Sequence, residues 1–448
     1  MGSRLPPYPE YRDSGLAWLP RLPSHWELIR GKAILREVDE RSISGAEELL
    51  TVSHKTGVTP RRLKNVTMFK AESYVGHKLA RPKDIVMNTM WAWMAATGVS
   101  GHLGIVSPSY GVYRPRGENL DSRYLDYLLR TPLLKAEYHR RSKGIRASRL
   151  RLYADQFLDI RFPVPPLDEQ SRIADYLVAH GRLTNRLIRN RRRLIASLQQ
   201  RNQAIIRATV TRGLNLGKPM KATGITTLPQ VPSHWDICLL KRMAMLQRGY
   251  DLPEDQRQPG PYPVVSSAGP IGFHALAKAA APGVVTGRYG STGKIHFIEH
   301  DFWPHNTSLF VVNFFGNLPR FIYYLLQTVS TEEHATKAAV PGIDRKDLHE
   351  TPVAAVPLDE QADIVTYLDA VALETRTVIE RTERHIELLR AYHERLIADL
   401  VSGARDVREA PLPPTVPPEM EDDASVDVDE VDEEEDSDVD SDLVEVDE

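Results

Sequence analysis

The pentapeptide Pro166-Leu167-Asp168-Glu169-Gln170 is written a second time as Pro357-Leu358-Asp359-Glu360-Gln361, an offset of 357 − 166 = 191 residues. Each copy reads as the opening of a helix. A proline costs nothing in the first turn, because its missing N–H has no partner there. The two acids that follow sit where the helix dipole favours carboxylates. From Asp168 to about Thr211 there is no proline, and the one interior glycine, Gly181, weakens the helix only locally. Apolar residues recur at Ile173, Leu177, Leu187, Leu194, Leu198 and Ile205, close to spacings of three, four and seven. The second copy repeats the stripe with Ile364, Leu368, Val378, Leu389 and Leu396, and it stops at Ser402-Gly403. Each helix should span roughly 45 residues, or roughly 70 Å.

A second pair of motifs precedes these helices. Ser14-Gly15-Leu16 with Leu22-Pro23-Ser24-His25-Trp26 recurs as Thr223-Gly224-Ile225 with Val231-Pro232-Ser233-His234-Trp235, an offset of 223 − 14 = 209. The offset therefore falls by 209 − 191 = 18 between the two pairs. The helices are the constant part, and the second globular unit is the shorter one. A stripe this long must lie against something, and the other copy is its natural partner. Antiparallel pairing, which would carry the units at opposite ends of a rod, is the expectation; parallel pairing is the competing arrangement. Polar Asn202 and His393 interrupt the stripe and read as register residues. The fold class expected is α+β, with two β-rich units and a pseudo-two-fold repeat.

Composition narrows the function. Hydrophobic residues make up 42% of the 448, with no apolar run long enough for a membrane span and no signal-peptide pattern in MGSRLPPYPE. Cys238 is the only cysteine, which suits a reducing cytoplasm. The net charge of −3 conceals an asymmetry: residues 411–448 hold 18 acids and no Lys or Arg, so residues 1–410 carry 57 bases against 60 − 18 = 42 acids, a net of +15. A basic body attracts polyanions. The acidic tail reads as disordered and as a passive solubilising segment, with mimicry of a polyanion as the rival reading.

The units themselves mix short β-branched runs with Gly/Pro turns: Asp84–Met87 and Gly104–Val106 in the first; Tyr262–Val265, Gly283–Thr286, Lys294–Ile298 and Ser308–Val312 in the second. Short amphipathic helices are expected at Tyr124–Leu129 and Phe321–Leu326. The stretch Gly287-Arg288-Tyr289-Gly290-Ser291-Thr292-Gly293-Lys294 imitates a phosphate loop but fails its spacing, and Ile295 stands where a magnesium-binding hydroxyl belongs. It reads instead as a hairpin that presents Arg288, Tyr289, Ser291 and Lys294 to DNA, or as a simple glycine turn. Six bases crowd His139 to Arg151, including Lys143, Arg146 and Arg149, and Lys337 to Lys346 take that place in the second unit with Arg345 and Lys346. Arg61, Lys64 and Asn306 complete the candidate DNA contacts. The cluster Met90, Trp91 and Trp93 reads as core before it reads as a base-stacking surface. No dinucleotide fingerprint, methyltransferase tetrapeptide, metal spacing or nucleophile elbow occurs, which points to a recognition part and not an enzyme.

The repeat resembles the specificity subunit of type I restriction–modification complexes. The resemblance covers about residues 8 to 405. It rests on Ser14–Leu19 with Pro23-Ser24-His25-Trp26, on the two Pro-Leu-Asp-Glu-Gln openings, and on Val265–Gly269 through Gly287-Arg288 to Asn306–Leu309. It implies a non-catalytic subunit with two target-recognition domains (1–163 and 214–355), each reading half of a split double-stranded DNA target. The spacer helices (164–213 and 356–405) would act as a ruler and dock two methyltransferase subunits, with two restriction subunits completing the endonuclease complex. S-adenosylmethionine, ATP and Mg would sit on those partners and not on this chain. The acidic tail (406–448) departs from the family pattern, and the first unit lacks an obvious copy of the Gly287–Lys294 hairpin. A stand-alone DNA-binding scaffold and a coiled-coil adaptor are the rival readings.

Overall fold

The computed structural model describes residues 5–64, 73–144, 150–215, 217–288, 294–329 and 345–414. The two helices announced by the pentapeptides run over Leu167–Arg212 and Leu358–Val401. The chain divides into two units: residues 1–190 with 385–448, and residues 191–384. Each unit therefore takes part of each long helix.

Both units are built on one plan. In the first, a four-stranded antiparallel sheet has the order Leu35–Glu37, Gly111–Pro115, Ile85–Met87, Thr97–Val99. In the second, the order is Met245–Arg248, Ser308–Asn313, Gly283–Gly287, Ile295–Ile298. Numbered along the chain, both sheets run first, fourth, second, third. Each unit opens with a hairpin, Tyr11–Leu16 with Leu19–Pro23 and Met220–Ile225 with Leu228–Pro232. Each closes with a strand returned to the strand after the His-Trp motif, Arg161–Val164 on Glu27–Arg30 and Pro352–Ala355 on Asp236–Leu239. The expected short helices are Ser122–Leu129 and Pro319–Leu326.

The repeated motifs meet in space. In the first unit Glu169 is buried, and its carboxylate accepts from Trp26 Nε1 at 3.0 Å and Tyr8 Oη at 2.5 Å, with His25 Nε2 at 2.8 Å. In the second unit Glu360 meets His234 Nε2 at 2.6 Å and Lys218 Nζ at 3.2 Å. Burial alone would push the Glu360 carboxyl up; the bonds from His234 and Lys218 outweigh it and hold the group below its ordinary value. The adjacent glutamines do the second half of the work. Gln170 accepts from Asp121 N and donates to the carbonyls of Asn119 and Pro165. Gln361 accepts from Leu318 N and donates to Asn317 Oδ1 and the Val356 carbonyl. Each glutamine thus fastens its long helix to the start of the short helix and to the closing strand.

The long helices run antiparallel within each unit. In the first, His180 faces His393, while Ile173 and Leu177 share a core with Leu396, Leu400 and Val401. In the second, Gly213, just past the end of the first helix, lies beside Glu360 at the start of the second, and Ile206 and Val210 share a core with Ile364 and Leu368. The helix ends close on the tryptophans. Gly403 has φ +74° and a Cβ there would lie 2.5 Å from Pro23 and 3.3 Å from Trp26; Gly213 has φ +72° and a Cβ would lie 3.2 Å from Trp235. Only glycine suits a left-handed backbone with an indole this near.

The chain beyond the second helix is not all tail. Val407 is fully buried in the first core, Asp406 N donates to the Pro6 carbonyl, and the Arg172 guanidinium donates to the carbonyls of Val407 and Ala410. The expectation of a loose segment from residue 406 is corrected: one buried valine and a ring of carbonyl bonds hold residues 406–410 to the first unit. Residues 415–448 lie outside the described residues.

Two outcomes follow. Gln170→Ala leaves three backbone groups of its unit without their partner and should cost about 1–3 kcal/mol, read as faster hydrogen exchange over Ser122–Leu129. At the helix pair, burial first and the neighbouring His180 second lower His393 from 6.5 to about 4. His393 is neutral when folded and binds protons more readily when unfolded. Stability should therefore be complete above pH 6.5 and fall as the pH drops toward about 4. Melting temperature against pH should show this slope, and His393→Gln should flatten it.

Candidate nucleic-acid interface

In the second unit, three turns converge on Thr307. The turn after Tyr262–Ser266 brings Ser267 N to Thr307 Oγ1 at 3.4 Å, and the Ser267 carbonyl lies 3.3 Å from His296 Nε2. The segment before Ser308–Asn313 places His305 Nδ1 3.0 Å from the same hydroxyl. The turn after Gly283–Gly287 is tied in by Arg288 N, which donates to the Thr307 carbonyl at 3.0 Å. Burial, then the nearby Arg257, lowers the pKa of His305, which favours the neutral ring beside the hydroxyl. Asn306 is half-buried with its amide donating to Asp251 Oδ1, so its orientation is fixed. Gly249 is obligatory here: a Cβ would lie 2.1 Å from the His305 carbonyl oxygen.

The sequence segments Val265–Gly269, Gly287-Arg288 and Asn306–Leu309 therefore meet, most of their residues buried and Ser267, Ala268, Arg288, Asn306 and Thr307 left at the accessible edge. Arg288 and Asn306 stand on it together. Lys294 is exposed at the other foot of the turn, where Gly287 N donates to its carbonyl. The flanking strands pair antiparallel from Gly283↔Ile298 to Thr286↔Ile295, so the loop does join neighbouring strands. Tyr289 and Ser291 lie outside the described residues. Arg345 and Lys346 are exposed at the start of the short helix Arg345–His349, which is held by His349 Nε2 accepting from Leu246 N. Lys337 and Gly342–Asp344 lie outside the described residues.

The first unit presents different chemistry at the same topological place. Between Ile85–Met87 and Thr97–Val99, the strands matching those that flank the Arg288 turn, lies the loop 88–96. The apparent lack of a corresponding hairpin is thus corrected: the loop exists, but with tryptophans in place of glycines and bases. The core reading of that cluster is also corrected. Ala92 and Ala95 enter the core; Met90, Trp91 and Trp93 are half-buried and join none of the hydrophobic clusters. Trp91 and Trp93 stack at 5.6 Å and 25°, and His139 meets Trp93 edge-on at 6.4 Å. Exposed Lys143 and Arg151 pair backbone to backbone nearby, with both bonds at 2.9 Å, and Leu152 N donates to the Thr89 carbonyl. Arg146 and Arg149 lie outside the described residues. Arg61 and Lys64 follow the hairpin Leu50–Ser53 with Gly57–Pro60, and no described contact joins them to this loop. Among the described residues there is no group of three or more His, Cys, Asp or Glu that could hold a metal. No described helix is long and apolar enough to cross a membrane.

Comparison with known proteins agrees with this geometry. Residues 99–196 match the family model of the type I restriction modification DNA specificity domain, under half of the chain. A chain solved in a study of complex assembly and conformational transition of the type I R-M system is 16% identical, with 85% of this chain and 98% of that chain covered and a TM-score of 0.60. The HsdS subunit from Thermoanaerobacter tengcongensis is 18% identical over 85% of this chain and 98% of its own, with a TM-score of 0.46. No curated protein matches the chain. The resemblance carried by the repeat is borne out by the family segment and by the fold.

Proposed function

We propose that this chain is the DNA-reading subunit of a type I restriction–modification complex, in which each unit reads one half of a split duplex target. The observation that carries this is the doubled sheet with one loop position and two chemistries. The second unit offers Arg288 and Asn306, residues suited to guanine and adenine edges; the first offers stacked indoles beside Lys143 and Arg151. Two readers with different side chains favour a target whose halves differ.

The long helices are then the docking platform for two methyltransferase subunits, with two restriction subunits completing the complex. Exposed Leu358, Leu373, Leu388 and Tyr392 on the second helix support a protein partner there. S-adenosylmethionine, ATP and Mg belong to those partners, and the cytoplasm is the setting. The division into two recognition domains and two spacer helices, with Arg345, Lys346, Lys143 and Lys294 on phosphates, is part of the same reading.

Sequencing methylated adenines in the host genome tests it. The expected result is a split motif with several base pairs between the halves; a single continuous short motif would sink the two-reader scheme. Replacing Arg288 by Ala should weaken binding by about 1–3 kcal/mol, confined to sequences with the second unit's half intact. Affinity should also fall steeply as salt rises.

A further inference from the structure

The loop 88–96 is built to hold its tryptophans still. Asn88 N donates to the Ala96 carbonyl, and Asn88 Nδ2 to Tyr110 Oη at 3.1 Å. Trp91 N donates to the Asn88 carbonyl, and Met94 N and Ala96 N both donate to the Trp91 carbonyl. Ala95, at φ +66°, ends the turn in the left-handed region, a conformation an alanine keeps only where its surroundings enforce it. Yet this rigid frame leaves the indoles only half-buried. They are the largest side chains of the loop and join none of the hydrophobic clusters, and Trp93 Nε1 is buried with no hydrogen-bond partner among the described residues. A rigid aromatic pair flanked by exposed His139, Lys143 and Arg151 suits the face of a base with its phosphates alongside.

We infer that Trp91 and Trp93 form the recognition element of the first unit, and that they read a base by stacking on its face where the second unit reads base edges. This rests on the DNA-reading function proposed above. An indole reaches a base face in a duplex only by opening a step, and pyrimidine–purine steps open at least cost. The half-site of the first unit should therefore contain such a step, with little hydrogen-bond discrimination at the stacked position.

The test is selection from a random duplex library with the full-length chain. Wild type should enrich a two-part motif; if it enriches nothing, the DNA-reading function itself fails, apart from this inference. Trp91→Ala should lose the information in one half and keep the other, with affinity for the wild-type motif about ten-fold lower. Trp91→Phe, which retains a stacking ring, should recover the lost half. Arg288→Ala should erase the opposite half. The inference is overturned if Trp91→Ala enriches the full wild-type motif, or if Trp91→Ala and Trp91→Phe lose both halves alike, since that would mark a structural residue.

Discussion

A carboxylate at the first turn of a long helix, buried in the first unit and half-buried in the second, organises each unit. Glu169 sits against the indole N–H of Trp26, the hydroxyl of Tyr8 and the ring of His25; Glu360 meets His234 and Lys218. A carboxylate removed from water is costly unless its oxygens are satisfied by donors. That cost makes the arrangement specific. The helix can begin only where the His-Trp motif can reach it, and the sheet that follows the motif is thereby placed against the helix. The neighbouring glutamine locks the short helix and the closing strand to the same turn. The pentapeptide is repeated because this junction is repeated.

The two sheets show what such a junction allows. With the frame fixed, the loop between the second and third strands can change without altering the fold. In one unit it carries glycine and arginine; in the other it is stiffened by its own hydrogen bonds and carries indoles. The same backbone order carries two different loop chemistries, because loops lie outside the core and tolerate replacement.

Much of the frame was legible in the sequence. Proline, acids and apolar spacing mark both long helices, and alternation of β-branched residues marks most strands of the second unit. The first unit was harder. Thr97-Gly98-Val99 is a three-residue strand with a central glycine, and the glycine is required because a Cβ would lie 3.0 Å from Gly57 and from the Asp126 carboxylate. Tertiary packing sets that strand, not propensity. Without it, the tryptophan loop could not be seen as the counterpart of the Arg288 turn. Aromatic residues near a buried strand usually belong to the core, so Trp91 and Trp93 looked bland. Arg288 and Asn306 stand out as candidates because glycine and polar residues cluster visibly, but Thr307, which binds their turns together, gives no local signal.

The glycines that end the long helices have a further consequence for how the chain is made. The second unit draws on one continuous stretch, residues 191–384. The first unit does not: Tyr11 Oη donates to the Gly403 carbonyl across 392 positions, and Trp26 waits for the same glycine. On a ribosome, where domains form as their residues emerge, the unit that begins first must finish last. The early hairpin and its tryptophan stay without the closing helix end until Gly403 has appeared, and such long-range closure is slow. The first unit is therefore the one whose closure depends on residues from both sides of the second.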